Sequence, residues 1–128
     1  MRVGGFSLLE LLIALIVMSV LSLIAYPGYV TYKVRVNRAA TQAHLIELAN
    51  RQQLYLLDAR GYAGTLAELG AATIPPDVAS YYFVNDPVVD NSAAPPTFIV
   101  SAVARVGTMQ ARDGDLSINS TGVRAGHW

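Results

Sequence analysis

The chain has 128 residues, no net charge and no cysteine, with 53% hydrophobic and 14% charged residues. Zero net charge removes any electrostatic demand for nucleic acid or an anionic lipid surface as a partner. The absence of cysteine excludes disulfide stapling, thiolate catalysis and most structural zinc sites. Setting aside the apolar N-terminus leaves about a hundred residues, enough for one small domain. The charge is unevenly divided. Lys33, Arg35, Arg38, Arg51 and Arg60 stand against Glu47 and Asp58 in residues 33–60, whereas the remainder is net acidic.

Met1–Gly5 is a short leader carrying Arg2. From Phe6 to Tyr26 the chain is apolar apart from Ser7, Ser19, Ser22 and one acid, Glu10. As a helix this run spans roughly 31 Å, enough to cross a hydrocarbon core. It is longer than the apolar region of an ordinary secretory signal and lacks a small-residue cleavage site. A carboxylate in such a segment costs about 2.5–3.5 kcal/mol near a bilayer centre, so Glu10 points to function rather than to anchoring alone. Lys33, Arg35 and Arg38 outnumber Arg2 across the segment, so charge counting leaves the orientation open. Pro27 and Gly28 either end the helix or mark a kink in one that continues; continuation is the expectation adopted.

The string GGFSLLELLIALIVMSVLSLIAYPGY resembles the N-terminus of type IV pilins and their relatives. Gly5, Phe6, Ser7 and Glu10 match that family's leader and helix start position by position, and Pro27 falls where many members carry a proline. The resemblance implies cleavage between Gly5 and Phe6 by a prepilin peptidase/methyltransferase on the cytoplasmic side, and N-methylation of Phe6. It further implies a single-pass protein of the bacterial inner membrane with its C-terminal domain in the periplasm, later part of an extracellular pilus. Cleavage would leave a cationic amine on Phe6 four residues from Glu10, so the two can pair within one chain or between adjacent subunits. Glu10 is therefore expected to act in subunit assembly. The implied partners are other major and minor pilins, the inner-membrane pilus assembly machinery and, for the monomer, the membrane itself.

Residues 29–60 carry two helical stripes: Ala39, Ala43, Ile46, Ala49 or Asn50, Gln53 and Leu57, and a second of Leu45, Leu48, Gln52, Tyr55 and Leu56. Glu47 and Arg51 are spaced to pair on the solvent side. The helix is expected to stop near Asp58–Gly61 with Gly61 as a left-handed cap. A loop over residues 61–76 with a short helical turn at Thr65–Leu69 follows. Strands are expected at Tyr81–Val84, Thr97–Arg105 and Leu116–Asn119, joined by turn-rich stretches at Asn85–Pro96 and Val106–Asp115.

The expected fold class is α+β, a type IV pilin fold. One long N-terminal helix, half membrane-spanning (6–28) and half amphipathic (29–60), packs on a small antiparallel sheet within a globular domain at 61–128. The order of the pieces resembles the minor pilin subgroup, of the PilE type. Many pilins close their C-terminal loop with a disulfide; here Val106–Asp115 must be held by hydrogen bonds or packing. Asp113 and Asp115 resemble a calcium-binding pair of the secretion pseudopilins, but a glycine turn is the simpler reading and no metal is assigned. His44 and His127 lack a second ligand at metal spacing and are expected at the surface or an interface. No catalytic motif appears, so the chain reads as a non-enzyme without a cofactor. Because the globular part is net acidic, no nucleic-acid partner is expected. The implied function is a structural, minor subunit of a type IV pilus; the alternative is a pseudopilin of a type II secretion system.

Overall fold

A computed structural model describes residues 5–128. The chain divides into two compact units, Met1–Lys33 and Val34–Trp128. A single helix, α1 (Leu8–Ala59, 52 residues), runs through Pro27 without a break, as the continuation reading requires. Hydroxyls in its first half bond their own helix: Ser19 Oγ donates to the Ile16 carbonyl at 2.8 Å and Ser22 Oγ to the Met18 carbonyl at 2.8 Å. Thr31 Oγ1 donates to the Pro27 carbonyl at 3.0 Å. Polar groups satisfied within the helix are compatible with a hydrocarbon environment. By length and composition this helix is able to cross a membrane, with a window of mean hydropathy 2.7.

In the second unit, α1 from Val34 onward packs on an antiparallel sheet. The strands are β1 (Tyr82–Val84), β2 (Val88–Asp90), β3 (Thr97–Ala104), β4 (Leu116–Asn119) and β5 (Arg124–Ala125). A four-residue helix, α2 (Pro76–Ala79), precedes the sheet, and a 3-10 turn at Met109–Arg112 separates β3 from β4. The order is β1-β3-β4-β5, with β2 pairing the other end of β3. β3 is the organiser because its strict alternation leaves one face wholly apolar. Phe98, Val100, Ala102 and Ala104 are buried, while Ile99 and Val103 face outward. Leu116 and Ile118 of β4 continue the inner face, and Leu45 and Leu48 of α1 cover it, both fully buried. Tyr62 meets Phe98 edge-on at 4.7 Å.

Of the two helical stripes, the second holds the core: Leu45, Leu48 and Gln52 are buried, whereas Ala39, Ala43, Ile46, Asn50, Gln53 and Leu57 are exposed. Gln52 serves the core as a clamp for the loop after α1. Its Nε2 donates to the Ala63 carbonyl at 2.8 Å and its Oε1 accepts the Ala63 N–H at 2.9 Å.

Several local expectations need correction. The left-handed residue ending α1 is Arg60 (φ 58), not Gly61. Gly61 serves close approach instead, because a Cβ there would lie 3.2 Å from the Asn91 side chain, which brackets the Tyr62 backbone. The Thr65–Leu69 segment is a hydrogen-bonded turn rather than a helix; the helical turn lies at Pro76–Ala79, where proline suits the first helical position. β2 and β5 were not anticipated, being only three and two residues long within turn-rich sequence. At β5, Asn119 Oδ1 accepts bonds from the Thr121 and Val123 N–H groups and closes the β4–β5 hairpin.

Candidate functional site

At the N-terminal end, Gly5, Phe6 and Ser7 precede α1 and are exposed, Phe6 at 78%. Ser7 caps the helix: its Oγ accepts the Leu9 N–H at 3.3 Å, and its carbonyl accepts from the Glu10 and Leu11 N–H groups. The remaining leader residues, 1–4, lie outside the described residues. Glu10 stands in the first turn of α1, exposed, where an acid complements the helix dipole. Leu8 to Tyr29 carry no buried residue among the described residues, so this apolar surface is exposed. The peptide bond after Gly5 thus sits on open backbone ahead of a capped helix, with the acid one turn inside.

In the second unit the C-terminal loop is held by a polar cluster that ties α1 to β1 and to the 3-10 turn. Arg38 forms a two-pronged ion pair with Asp113, its Nε donating to Asp113 Oδ2 at 2.8 Å and its second prong to Oδ1. Tyr82 donates its hydroxyl to Asp113 Oδ2 at 3.0 Å, and Gln110 Nε2 lies 2.6 Å from the same oxygen. The Gln110 amide also reaches the Tyr82 hydroxyl and the Val34 carbonyl, while Asn37 Nδ2 approaches Gln110 Oε1 at 3.4 Å. His127 Nδ1 lies 3.5 Å from Asp113 Oδ1, and Gln42 Nε2 donates to the His127 carbonyl at 2.9 Å. The Asp113 side chain is 3% exposed. Burial pushes its carboxyl up, but the bonds from Arg38, Tyr82 and Gln110 and the Arg38 charge outweigh burial and hold it below the usual carboxylate range. Burial and the Asp113 bond push the Tyr82 phenol well above its ordinary value, so it stays a donor.

Residues 1–26 match the family model described as the prokaryotic N-terminal methylation motif. That match supports a type IV pilin-like prepilin. No curated protein and no solved structure matches the chain. The motif implies processing by a prepilin peptidase and assembly with other pilins, and the apolar helix that follows is consistent with membrane anchoring. The motif suggests a structural subunit. The motif ends before Pro27 and covers none of the second unit.

Asp113 and Asp115, adjacent in the glycine turn, have separate partners. Asp115 Oδ1 accepts the Ala104 N–H at 3.0 Å and fastens the turn to the end of β3, while Asp113 faces Arg38. Gly114 takes φ 84, which turns the backbone between them. Sequence reasoning left Arg38, Tyr82 and Gln110 without a role. They lie up to 75 residues from Asp113 in sequence, and no local spacing announces such a cluster. The one available signal was the loop without a disulfide, which needed some other fastening.

His44, expected at the surface or an interface, is buried within the chain, and its Nε2 has no hydrogen-bond partner among the described residues. Burial lowers its pKa, and Arg51 adds to this; Glu47, whose carboxylate lies 4.0 Å away, and Asp77 of α2 oppose it. A base whose folded pKa is depressed contributes stability that is present above its unfolded value of about 6.5 and is lost as pH falls below it. Thermal melting of the protein should therefore weaken from pH 7 to pH 5.5. In His44→Gln that segment of the profile should be flat, and an unchanged slope would assign it to another group.

The C-terminal tail closes against β4. Trp128 Nε1 donates to the Ala125 carbonyl at 2.9 Å and lies 3.1 Å from the Ser117 carbonyl, and Arg124 stacks over the indole at 4.9 Å. Gly126 makes this path possible: φ is 94, and a Cβ there would fall 2.0 Å from the Asp115 carbonyl oxygen. Gly126→Ala should displace the tail and shift the fluorescence of the sole tryptophan, Trp128, towards the red and towards faster quenching by iodide. Unchanged emission would mean the tail is held independently of this turn.

Proposed function

We propose that the protein is a structural subunit of a type IV pilus, in the minor class, inserted in the inner membrane as a prepilin. It is cleaved after Gly5, N-methylated at Phe6, and assembled into a filament through packing of α1 and through Glu10, with Pro27 and Gly28 as the weak point of that helix. The observation that carries this reading is the methylation motif leading directly into a capped helix whose apolar first half is exposed. A surface of that kind suits two successive environments, the lipid around a monomer and the core of a filament. In the membrane the globular domain faces the periplasm; in the filament it faces the outside.

The second reading is a pseudopilin of a type II secretion system. Engagement of Asp113 by Arg38, Tyr82 and Gln110 supports the pilus, because the pseudopilin resemblance draws that carboxylate to calcium instead. Deletion of the coding sequence separates the two. Loss of surface filaments and surface motility with normal exoenzyme release is expected; exoenzymes retained in the periplasm beside normal filaments would overturn the pilus reading.

A further inference from the structure

The sheet has a second face, turned away from α1, and β3 sets out its residues in order. Thr97, Ile99, Ser101, Val103 and Arg105 alternate with the buried set and point outward. Asp90 lies opposite Thr97, Val88 opposite Ile99, and Phe83 opposite Val103. Ser117 of β4 lies opposite Ser101, whose hydroxyl accepts the Asn85 amide at 3.1 Å. The four apolar residues are open to solvent: Val88 at 69%, Phe83 at 56%, Ile99 at 46% and Val103 at 40%. β1 and β2 flank β3 on the same side, at its two ends. Along β3 the face therefore runs acid, apolar pair, polar row, apolar pair, base.

Neither terminal charge is met within the chain. Arg105 Nε donates to the Ala79 carbonyl at 2.7 Å and the guanidinium lies 5.9 Å over the Phe83 ring, but it forms no ion pair among the described residues. Asp90 Oδ1 accepts from the Ser92 hydroxyl and from the Ser92 and Ala93 N–H groups. Those bonds hold its carboxyl below the ordinary range, and no cation pairs with it among the described residues. Asp86, after β1, and Asp115, before β4, are instead turned to the Leu66 and Ala104 N–H groups.

We propose that this outer face binds the same face of a second copy of this chain, related by a two-fold axis along the Asn85–Ser101–Ser117 row, with the two β3 strands antiparallel. The rotation lays the Phe83–Val103 pair of each copy on the Val88–Ile99 pair of the other and brings each Arg105 to an Asp90. Charge selects both the occupant and the direction. A parallel arrangement would set like charges on like, and a partner of one sign would satisfy one end of the face and repel the other. The polar row meets itself on the axis, where hydroxyl and amide groups both donate and accept. Strand rise and spacing give a contact of roughly 500 Å² per partner, against about 800 Å² in a stable complex, so the pairing is weak and reversible. It lies wholly within the second unit and stands independently of the pilus reading.

The chain has no cysteine, so introduced cysteines report alone. Ile99→Cys and Val103→Cys, as differently tagged full chains in detergent, are mixed and treated with a bis-maleimide of about 10 Å reach, the spacing of stacked sheets. Mixed products should exceed their statistical proportion by about fivefold, because like positions are offset by roughly 13 Å along the strands. Ser101→Cys, on the axis, should cross-link to itself, and Thr121→Cys, exposed in the β4–β5 turn, should not. Arg105→Glu in both chains should lower the mixed yield by about tenfold at low salt, and adding Asp90→Lys should restore it, since the two charges are then exchanged. Phe83→Ser should lower the yield with both charges in place. Thermal melting confirms that each variant is folded. Products of one variant with itself at or above the mixed ones would overturn the proposal. So would an Arg105→Glu chain that pairs as before, a folded double variant without recovery, or no cross-link at Ser101→Cys.

Discussion

Asp113→Ala is expected to destabilise the globular unit by about 3–5 kcal/mol, the range for removing one partner of a buried ion pair. The loss is large because three donors lose one acceptor together. Arg38 keeps its charge with no counter-charge, and the Tyr82 hydroxyl and Gln110 amide lose the oxygen they share. For a domain of this size such a loss lowers Tm by roughly 15–25 °C. Asp113→Asn should fall between, since it retains an oxygen acceptor without the charge. Arg38→Ala combined with Asp113→Ala should cost less than the two separate losses added, because the uncompensated charge is then gone. Thermal or urea unfolding of the full chain in detergent checks all of these. A loss under 1 kcal/mol for Asp113→Ala would mean that the loop is held by packing alone. The same pair sets an acid limit. Because the Asp113 carboxyl is held below its ordinary value, its stabilisation is present above about pH 4 and disappears as pH falls through the folded value.

Glu10→Val is expected to reduce entry of the subunit into filaments by more than tenfold while leaving membrane insertion intact or improved. Valine removes the one charge from the apolar run, which favours insertion. In the assembled state the Phe6 amine of a processed neighbour would then be desolvated without a carboxylate, at a cost of several kcal/mol, and each 1.4 kcal/mol is about tenfold in an equilibrium. Glu10→Asp retains the charge on a shorter arm and should assemble at an intermediate level. Co-expression of tagged variant and untagged wild type, with the ratio measured in sheared filaments and in membranes, reads the effect. Equal ratios in the two fractions would remove Glu10 from assembly and leave it as a helix-start residue beside the Ser7 cap.

The sequence was most legible where one physical demand acted on consecutive residues. The alternation of β3 from Phe98 to Ala104 and the Leu116/Ile118 pair of β4 each set out an apolar side, and the strands expected there are present. The two stripes of α1 were visible, but their assignment was not. Alanine-rich and leucine-rich faces are both apolar, and only the position of the sheet decides which is covered. Gly61 shows a different limit, since its purpose is space for Asn91, thirty residues downstream, rather than its own backbone angle. The clamp at Asp113 was hidden for the same reason. Its members come from a helix, a strand and a turn, and their meeting is a property of the assembled unit. His44 likewise looked like a polar residue on an amphipathic helix, with nothing local to announce its burial.

Everything proposed for function begins at the bond between Gly5 and Phe6. Intact-mass and N-terminal peptide analysis of the protein, produced in cells with and without an active prepilin peptidase, tests it directly. A mature chain beginning at Phe6 with one methyl group on its amine is expected when the enzyme is active, and the uncut chain beginning at Met1 when it is not. A chain that keeps Met1–Gly5 in both cells, or is cut elsewhere in both, would contradict it.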